Sequence, residues 1–265
     1  MAPFDVWAEY YDIIHTGTPG DVEFYVTEAL DARGDVLELG VGTGRIALPA
    51  ALAGVDITGV DNSKAMLVLC REKARLVGRT SGTLRLVLND MSSFRFRRRF
   101  SRILMPYRTF MHLLTQDEQR RCLERIHAHL ADDGRLLMNT WAAKPSAIAR
   151  LLSHRTAGKL KPAGSHRVEE DITLRHFNSV VCDEMRQLLI ERHLLQELDN
   201  EGRVVQERML PLVRAWTTRR EIENMFRLCG FEVEALYGDF SRDRFTEDST
   251  EMIYVLRKTA RRARK

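Results

Sequence analysis

The spacing of apolar and polar residues changes along this chain and predicts its main elements. Between residues 35 and 141, apolar runs of strand length alternate with stretches in which apolar residues recur every three or four positions. The runs predict five strands, at about 35–40, 55–60, 84–88, 101–105 and 135–141. The stretches between them predict helices at about 44–53, from Asn62-Ser63, and from near Gln116 to a turn at Asp132-Asp-Gly134. This alternation predicts a doubly wound, mostly parallel α/β sheet.

Two other segments have different patterns. Residues 1–30 have helical spacing interrupted at Gly17-Thr-Pro-Gly20, which predicts two short helices. Residues 142–165 are expected to be loop-like or weakly helical. From 167 to 216 the period becomes two, which is typical of antiparallel strands. The predicted strand segments are Val168–Phe177, Met185–Leu195 and Val204–Trp216, with a hairpin turn at Asp199-Asn-Glu-Gly202.

The last part of the chain predicts one helix and two strands. Thr217 is expected to cap a helix that ends at Gly230, and the strands are Phe231–Tyr237 and Met252–Leu256. The linker between these strands is too short for a crossover helix, so we expect an antiparallel hairpin. Added to the first five strands, the hairpin gives a seven-stranded sheet.

These patterns divide the chain into four parts. We predict an N-terminal helical segment at 1–30 and a core built from 31–141 and 217–257. An antiparallel β insertion at 142–216 lies between the fifth strand and the last helix, and a basic tail follows at 258–265.

Composition adds little beyond a mild positive charge. The net charge is +4, and much of the excess lies in Arg95–Arg99 and in the tail from Arg257. These clusters indicate either a solvated loop and tail or a surface that attracts RNA. Phe94, Phe96 and Phe100 alternate with the arginines, as aromatics do in nucleic-acid sites, but a strand edge with one buried face has the same pattern.

The sequence also bears on location. No apolar run approaches the ~20 residues that span a membrane, and the N-terminus lacks the basic and apolar regions of a signal peptide. The four cysteines are scattered and form no CxxC pair. We therefore expect a cytoplasmic protein with free thiols and no membrane partner.

The strongest chemical signal is a glycine turn after the first strand. Glu38-Leu-Gly-Val-Gly-Thr-Gly44 forms this turn, and Asp61 ends the second strand. A glycine turn after one strand and an acid at the end of the next is how a βαβ unit holds a nucleoside, because a carboxylate can accept hydrogen bonds from both hydroxyls of a ribose. A nicotinamide dehydrogenase would need glycine where this chain has Arg45.

These motifs resemble those of class I S-adenosylmethionine-dependent methyltransferases. The glycine turn matches the family pattern E/D-x-G-x-G-x-G, Asp61 stands where the family binds the ribose, and Asn89-Asp90-Met91 stands where it contacts the adenine. The resemblance implies the family's seven-stranded Rossmann-like sheet, S-adenosylmethionine as cofactor and S-adenosylhomocysteine as product. It implies that the cofactor is held by Glu38, Gly40, Gly42, Thr43, Gly44, Arg45, Asp61, Asn62, Met66, Asn89, Asp90, Met91 and Met105.

The segment after the fourth strand bears on the methyl acceptor. Met105–Gln119 lacks the N/D-P-P-Y/F motif of DNA and some protein methyltransferases. It looks more like small-molecule methyltransferases, including sugar and glycine N-methyltransferases, which share an early Tyr-Asp pair (here Tyr11-Asp12). In those enzymes an N-terminal helix closes over the cofactor, and an antiparallel insertion covers the substrate and often builds the oligomer.

The resemblance therefore implies in-line methyl transfer to a nitrogen or oxygen atom of a small molecule. An RNA methyltransferase, a protein methyltransferase and a non-catalytic cofactor-binding subunit remain alternatives, and a homodimer through the insertion is a further expectation.

Candidate residues for the chemistry come from several elements. His112 is the candidate general base, and Tyr11 is the candidate contact to the cofactor's sulfur or carboxylate. Each has a structural alternative, as a helix-start histidine and a core aromatic. The acceptor candidates are Tyr107, Trp141, Arg175, His176 and Arg214. The other histidines form no ligand pair with an obvious carboxylate, so we predict no metal.

Overall fold

The computed structural model describes residues 2–152, 158–168 and 170–259. Its helices are α1 Ala8–Ile14, α2 Asp21–Leu30, α3 Ala47–Leu52, α4 Lys64–Val77, α5 Gln116–His129, α6 Pro145–Leu152 and α7 Arg219–Leu228. Its strands are β1 Val36–Leu39, β2 Ile57–Asp61, β3 Leu84–Leu88, β4 Phe100–Met105, β5 Leu130–Trp141, β6 Lys161–Arg167, β7 Thr173–Asp183, β8 Leu188–Leu198, β9 Val204–Ala215, β10 Phe231–Tyr237 and β11 Glu251–Lys258.

The chain divides into two compact units. The core unit comprises Met1–Asp5, Gly17–Ala142 and Thr218–Lys265, and the insertion unit comprises Val6–Thr16 and Ala143–Thr217. The predicted division differs at the N-terminus, where residues 6–16 group with the insertion and the helix at 21–30 groups with the core. The end of the predicted basic tail, residues 260–265, lies outside the described residues.

The core unit contains the predicted seven-stranded sheet. Its order is β10-β11-β5-β4-β1-β2-β3, with parallel pairing from β5 across to β3. β11 runs antiparallel to both β5 and β10, which confirms the expected closing hairpin. The α/β fold class predicted from the sequence is therefore confirmed.

Apolar residues on both faces of this sheet are covered by helices. Ile103 of β4 belongs to a buried cluster with Leu123 of α5 and Phe226 of α7. The next residue, Leu104, belongs to the other cluster, with Tyr25 of α2 and Ala47 of α3. Because successive strand residues point to opposite faces, a strand buried on both sides reads as a continuous apolar run.

Side-chain caps fix where two helices begin. Thr115 and Thr218 each form a capping box, with Glu118 and Glu221 at the third helical position. The sequence expectation of a cap at Thr217 was wrong by one residue. The predicted turn at residues 132–134 also differs, since β5 begins directly at Leu130 and its pairing with β4 shifts register between Phe100 and Arg102.

The insertion unit contains a four-stranded antiparallel sheet in the order β6-β7-β8-β9. Three of these strands were expected, and the Asp199–Gly202 turn joins β8 and β9 as predicted. The strand β6 was missed because its sequence, Lys-Pro-Ala-Gly-Ser-His-Arg, has no apolar alternation and contains proline and glycine. Proline and glycine are tolerated there because β6 is an edge strand.

The phenylalanines of the arginine-rich segment that leads into β4 pack into the core, and two of its arginines form ion pairs. Phe94 and Phe100 are fully buried, and Phe96 packs against the same apolar cluster. Arg98 pairs with Asp35, and Arg99 pairs with Asp132. The alternation of aromatics and arginines therefore has a packing explanation.

Candidate cofactor site

The predicted cofactor residues meet at the carboxyl ends of β1, β2 and β3. From β1 the chain adds β2 and β3 on one side, and from β4 it adds β5 on the other side. The strand order therefore reverses between the parallel neighbours β1 and β4. Ligands of open α/β sheets bind in the crevice outside such a switch point. The glycine turn lies at this position in the core unit.

The three glycines of the turn all have positive φ. The values are 71° at Gly40, 54° at Gly42 and 88° at Gly44, a region that residues with a Cβ rarely adopt. A Cβ on Gly40 would stand 2.5 Å from Cγ2 of Thr109, and one on Gly44 would stand 2.6 Å from Sγ of Cys70. The sequence suggested that these glycines make room for a ligand. Packing within the protein already requires two of them.

Asp61 links the glycine turn to the start of α4. Its Oδ2 accepts a hydrogen bond from the backbone N–H of Gly42 at 2.8 Å, and its Oδ1 accepts one from the N–H of Ser63 at 2.8 Å. Burial raises the pKa of Asp61, and these donors oppose the increase. A carboxylate offers about four lone-pair sites, so two acceptor positions remain for a ribose diol.

Glu38 is the least satisfied polar group of the site. Its side chain is 2% exposed, one oxygen accepts from the backbone N–H of Ala47, and Oε2 has no hydrogen-bond partner. Burial raises the pKa of Glu38 well above its usual value, and the positive charge of Arg45 opposes this only in part. An unpartnered buried carboxyl oxygen beside the glycine turn suits a cationic ligand, so the residues present fit S-adenosylmethionine.

The ends of β2 and β3 present polar side chains next to one another. Nδ2 of Asn62 lies 3.5 Å from Oδ2 of Asp90. The other oxygen of Asp90 accepts from the N–H and the hydroxyl of Ser92 at 2.7 and 2.5 Å, and Asn89 accepts from the N–H of Asp90. Met91 is half-buried and packs against the core. The structure therefore brings Asn62, Asn89, Asp90 and Met91 together, as the resemblance implied.

Three predicted contacts have their side chains engaged elsewhere. Met66 and Met105 are 1% and 0% exposed, so their side chains lie inside the protein core and have no surface left for a ligand. Thr43 is also buried, and its hydroxyl accepts from Nζ of Lys73 at 3.0 Å. The spacing of the sequence cannot distinguish a methionine that faces a ligand from one that faces the core.

Arg45 forms a salt bridge within the core unit. Its guanidinium donates two hydrogen bonds to Asp21 of α2, at 2.8 and 2.7 Å, and lies 4.9 Å from the ring centre of Tyr107. A Cβ on Gly17 would stand 2.2 Å from Nη1 of Arg45, so Gly17 leaves the space that this arginine fills. Arg45 thus ties α2 to the glycine turn, a role that the sequence did not reveal.

The turn after β4 is strained and held by a buried network. Tyr107 and Arg108 have φ of 54° and 61°, unusual for residues other than glycine. The side chain of Arg108 forms an ion pair with Glu251 of β11, which is 2% exposed. Asn139 of β5 donates to Glu251 at 2.8 Å and accepts from the hydroxyl of Tyr25 at 2.9 Å. Strain of this kind concentrates at functional sites.

The remaining core-unit candidates lie near this turn. His112 ends the 3-10 turn Thr109–His112, is half-buried, and its ring contacts Phe4 edge to face at 4.9 Å. Trp141 is the last residue of β5, is half-buried, and pairs with Glu251 of β11. Tyr107 and His112 therefore stand on the segment that follows β4, and Trp141 stands at the end of the neighbouring strand.

The insertion unit contains the other four candidates. Tyr11 of α1 packs its ring 4.8 Å from that of His15. Arg175 and His176 are adjacent in β7 and so point to opposite faces of the sheet. Arg175 is exposed and bonds Gln196, whereas His176 is 6% exposed. One site on one face can therefore use only one of these two residues.

His176 belongs to a buried polar cluster that spacing did not reveal. Its Nε2 lies 2.8 Å from Nδ1 of His193, so one ring donates and the other accepts. Arg214 donates to Glu191 at 2.7 Å. Burial, which acts with the neighbouring charged and imidazole groups, lowers the pKa of both His15 and His176 to about 4.

Comparisons with known proteins find methyltransferases. Residues 36–134 match the family model described as a methyltransferase domain. The chain is 26% identical over 227 residues to the cypemycin N-terminal methyltransferase of a Streptomyces species, covering 86% of this chain and 84% of that protein. It is 29% identical over 144 residues, about half of each protein, to the dTDP-3-amino-3,6-dideoxy-alpha-D-glucopyranose N,N-dimethyltransferase of Streptomyces fradiae.

A solved structure shows the same likeness over nearly the whole chain. The CcbJ methyltransferase of Streptomyces caelestis is 28% identical, with a TM-score of 0.78 and coverage of 96% of both chains.

No helix of the described residues is long and apolar enough to cross a membrane. The fold, the fit of the site and these relatives identify the chain as an S-adenosylmethionine-dependent methyltransferase.

Proposed function

We propose that this S-adenosylmethionine-dependent methyltransferase methylates an amine nitrogen of a small molecule, with a hydroxyl oxygen as the second candidate acceptor. The observation that carries the proposal is the switch-point site, where Glu38 and Asp61 fit the cofactor and the strained Tyr107-Arg108 turn lies beside the glycine turn. The names of two relatives support an amine acceptor, because one is an N,N-dimethyltransferase of a dTDP-linked amino sugar and the other is the cypemycin N-terminal methyltransferase.

In this proposal the core unit binds the cofactor through three groups. Asp61 accepts the ribose hydroxyls, Asn62 with Asn89-Asp90-Met91 surrounds the adenine, and Glu38 faces a cationic group of the cofactor. The bound cofactor supplies an electrophilic methyl group on a sulfonium. The protein's contribution is to orient the acceptor's lone pair in line with that methyl and to exclude water.

An ammonium acceptor must lose a proton before its lone pair is available. We propose His112 as the group that takes this proton, since it stands on the segment after β4 and is half-buried. Tyr107 and Trp141 are the proposed walls of the acceptor site. From the insertion unit we propose His176 and Arg214 as acceptor contacts and Tyr11 as a cofactor contact. Arg175 is not proposed as a contact, because it lies on the opposite face of the sheet from His176.

A matched pair of acceptors tests the reaction class. We would incubate the protein with methyl-labelled S-adenosylmethionine and amino sugars, peptides with a free N-terminus, and the same compounds with the amine replaced by hydroxyl. Label transfer to the amine that is lost in His112→Asn, while cofactor affinity is retained, supports the proposal. Transfer to the hydroxyl compounds alone would select the second candidate acceptor over the first, and transfer to RNA alone would contradict the proposal.

A further inference from the structure

Glu38 combines burial with incomplete hydrogen bonding. The side chain is 2% exposed, and its Oε2 is a buried atom with no partner among the described residues. The backbone N–H of Ala47 favours ionisation of this carboxyl. An ionised carboxylate in such a place lacks the paired cation and the additional donors that would make its burial tolerable.

The groups around Glu38 do not supply that cation. Arg45 is the charged group that favours ionisation, but its guanidinium forms a two-hydrogen-bond salt bridge with Asp21. Asp61 adds a negative charge from β2 that opposes ionisation. Tyr25 of α2 and Cys70 of α4 interact electrostatically with Glu38. Both are neutral at ordinary pH because burial raises their pKa values, so neither supplies a cation.

We infer that Glu38 is a protonated carboxylic acid in the cofactor-free protein and loses its proton when S-adenosylmethionine binds. The O–H bond of the acid breaks, the proton passes to the buffer, and the carboxylate remains beside the cofactor's positive charge. The inference rests on the cofactor assignment and is independent of which acceptor is methylated. Glu38 then acts as a charge-compensating residue whose ionisation depends on the cofactor.

Calorimetry can count this proton directly. S-adenosylmethionine is titrated into the protein at pH 6.5 in buffers of equal ionic strength but different ionisation enthalpy. At this pH the α-amino group of the cofactor, with a reference pKa of about 7.7–8.0, stays charged and does not contribute. The slope of the observed enthalpy against the buffer enthalpy gives the protons exchanged. We expect about one proton released per cofactor by the wild-type protein and almost none by Glu38→Gln.

A second measurement keeps the test decisive if the variant binds poorly. In the wild-type protein the affinity should increase up to tenfold per pH unit between about pH 5.5 and 7, because release of one proton is linked to binding. Glu38→Gln, checked for native fold by circular dichroism, should give a flatter profile. Asp132→Asn replaces an exposed carboxylate of the core unit and is the matched control, and it should bind the cofactor and release the proton as the wild-type protein does.

The outcomes separate this inference from the wider account. Binding without proton release in the wild-type protein overturns the inference alone, as does release that persists in Glu38→Gln or disappears in Asp132→Asn. An absence of any cofactor binding overturns both the inference and the cofactor assignment.

Discussion

The backbone N–H of Gly42 donates to Oδ2 of Asp61 at 2.8 Å, so the two sequence motifs of the nucleoside site are joined by one hydrogen bond. The other oxygen of Asp61 holds the start of α4 through Ser63. The position of the glycine turn therefore depends on the same carboxylate that is proposed to bind the ribose, and a change at Asp61 should affect both.

Replacement of Gly40 should destabilise the core unit through packing as well as backbone strain. In Gly40→Ala the new Cβ would stand 2.5 Å from Thr109, in a residue with φ of +71°. Gly202→Ala is the matched control, because Gly202 has φ of +77° and nothing within 4 Å of its Cβ position. We expect Gly40→Ala to cost about 1–3 kcal/mol more than the control in urea unfolding. Equal losses in the free energy of unfolding for the two variants would show that the side chain of Thr109 moves aside at no cost.

The ion pair between half-buried Arg108 and buried Glu251 should matter more than an exposed pair. Glu251→Gln leaves Arg108 with a charge and no charged partner, at an expected cost of roughly 1–3 kcal/mol in the free energy of unfolding. Asp132→Asn removes a carboxylate that is 84% exposed and pairs with Arg99, and it should leave the free energy of unfolding almost unchanged. Similar costs for the two variants would argue against the strained turn being held by Glu251.

Cofactor-free Glu38→Gln should be more stable than the wild-type protein at neutral pH. The pKa of Glu38 is raised in the folded state, so the acid's contribution to stability is present below its unfolded pKa and is lost as pH rises. Glutamine mimics the neutral acid and avoids this loss. We expect the Tm to rise by at least about 2 °C at pH 7.5, with the difference vanishing near pH 4. A lower Tm at pH 7.5 would indicate an ionised Glu38.

Acid should destabilise the insertion unit through its histidines. The pKa values of His15 and His176 are lowered to about 4 from a reference of 6.5. The unfolded chain therefore binds protons that the folded unit does not, so stability is constant above pH 6.5 and is lost as pH falls toward 4. Urea unfolding from pH 7.5 to 4.5 measures the loss, and His176→Asn should reduce its slope. An unchanged slope in the variant would remove His176 from this account.

The sequence predicted those parts of the structure that depend on local pattern. The strands of the core sheet follow from local apolar runs, and the glycine turn, Asp61 and Asp90 follow from spacings within the segment from β1 to just past the end of β3. The ion pair between Arg108 and Glu251 joins residues 143 positions apart, and Asn139 and Glu251 are 112 apart. No local pattern contains such a pair, because it exists only once β11 inserts between β5 and β10.

The spacing of residues along the sequence also did not predict which individual side chains are buried. Met66 and Met105 lie at the expected positions along the chain but face the core, and the two adjacent residues Arg175 and His176 separate onto opposite faces. In the sequence, His193 and Glu191 of the buried polar cluster are simply polar residues in a strand whose apolar and polar residues alternate. Its pairing depends on the register of β7 with β8.

The most direct test of the central claim is calorimetric titration of S-adenosylhomocysteine into the wild-type protein and into Asp61→Asn. The account predicts binding with a Kd in the micromolar range for the wild-type protein. Affinity should fall at least tenfold in the variant, because a half-buried amide cannot accept hydrogen bonds from both ribose hydroxyls as a carboxylate does. Equal binding by both proteins would contradict the assigned site, and no binding to the wild-type protein would contradict the cofactor itself.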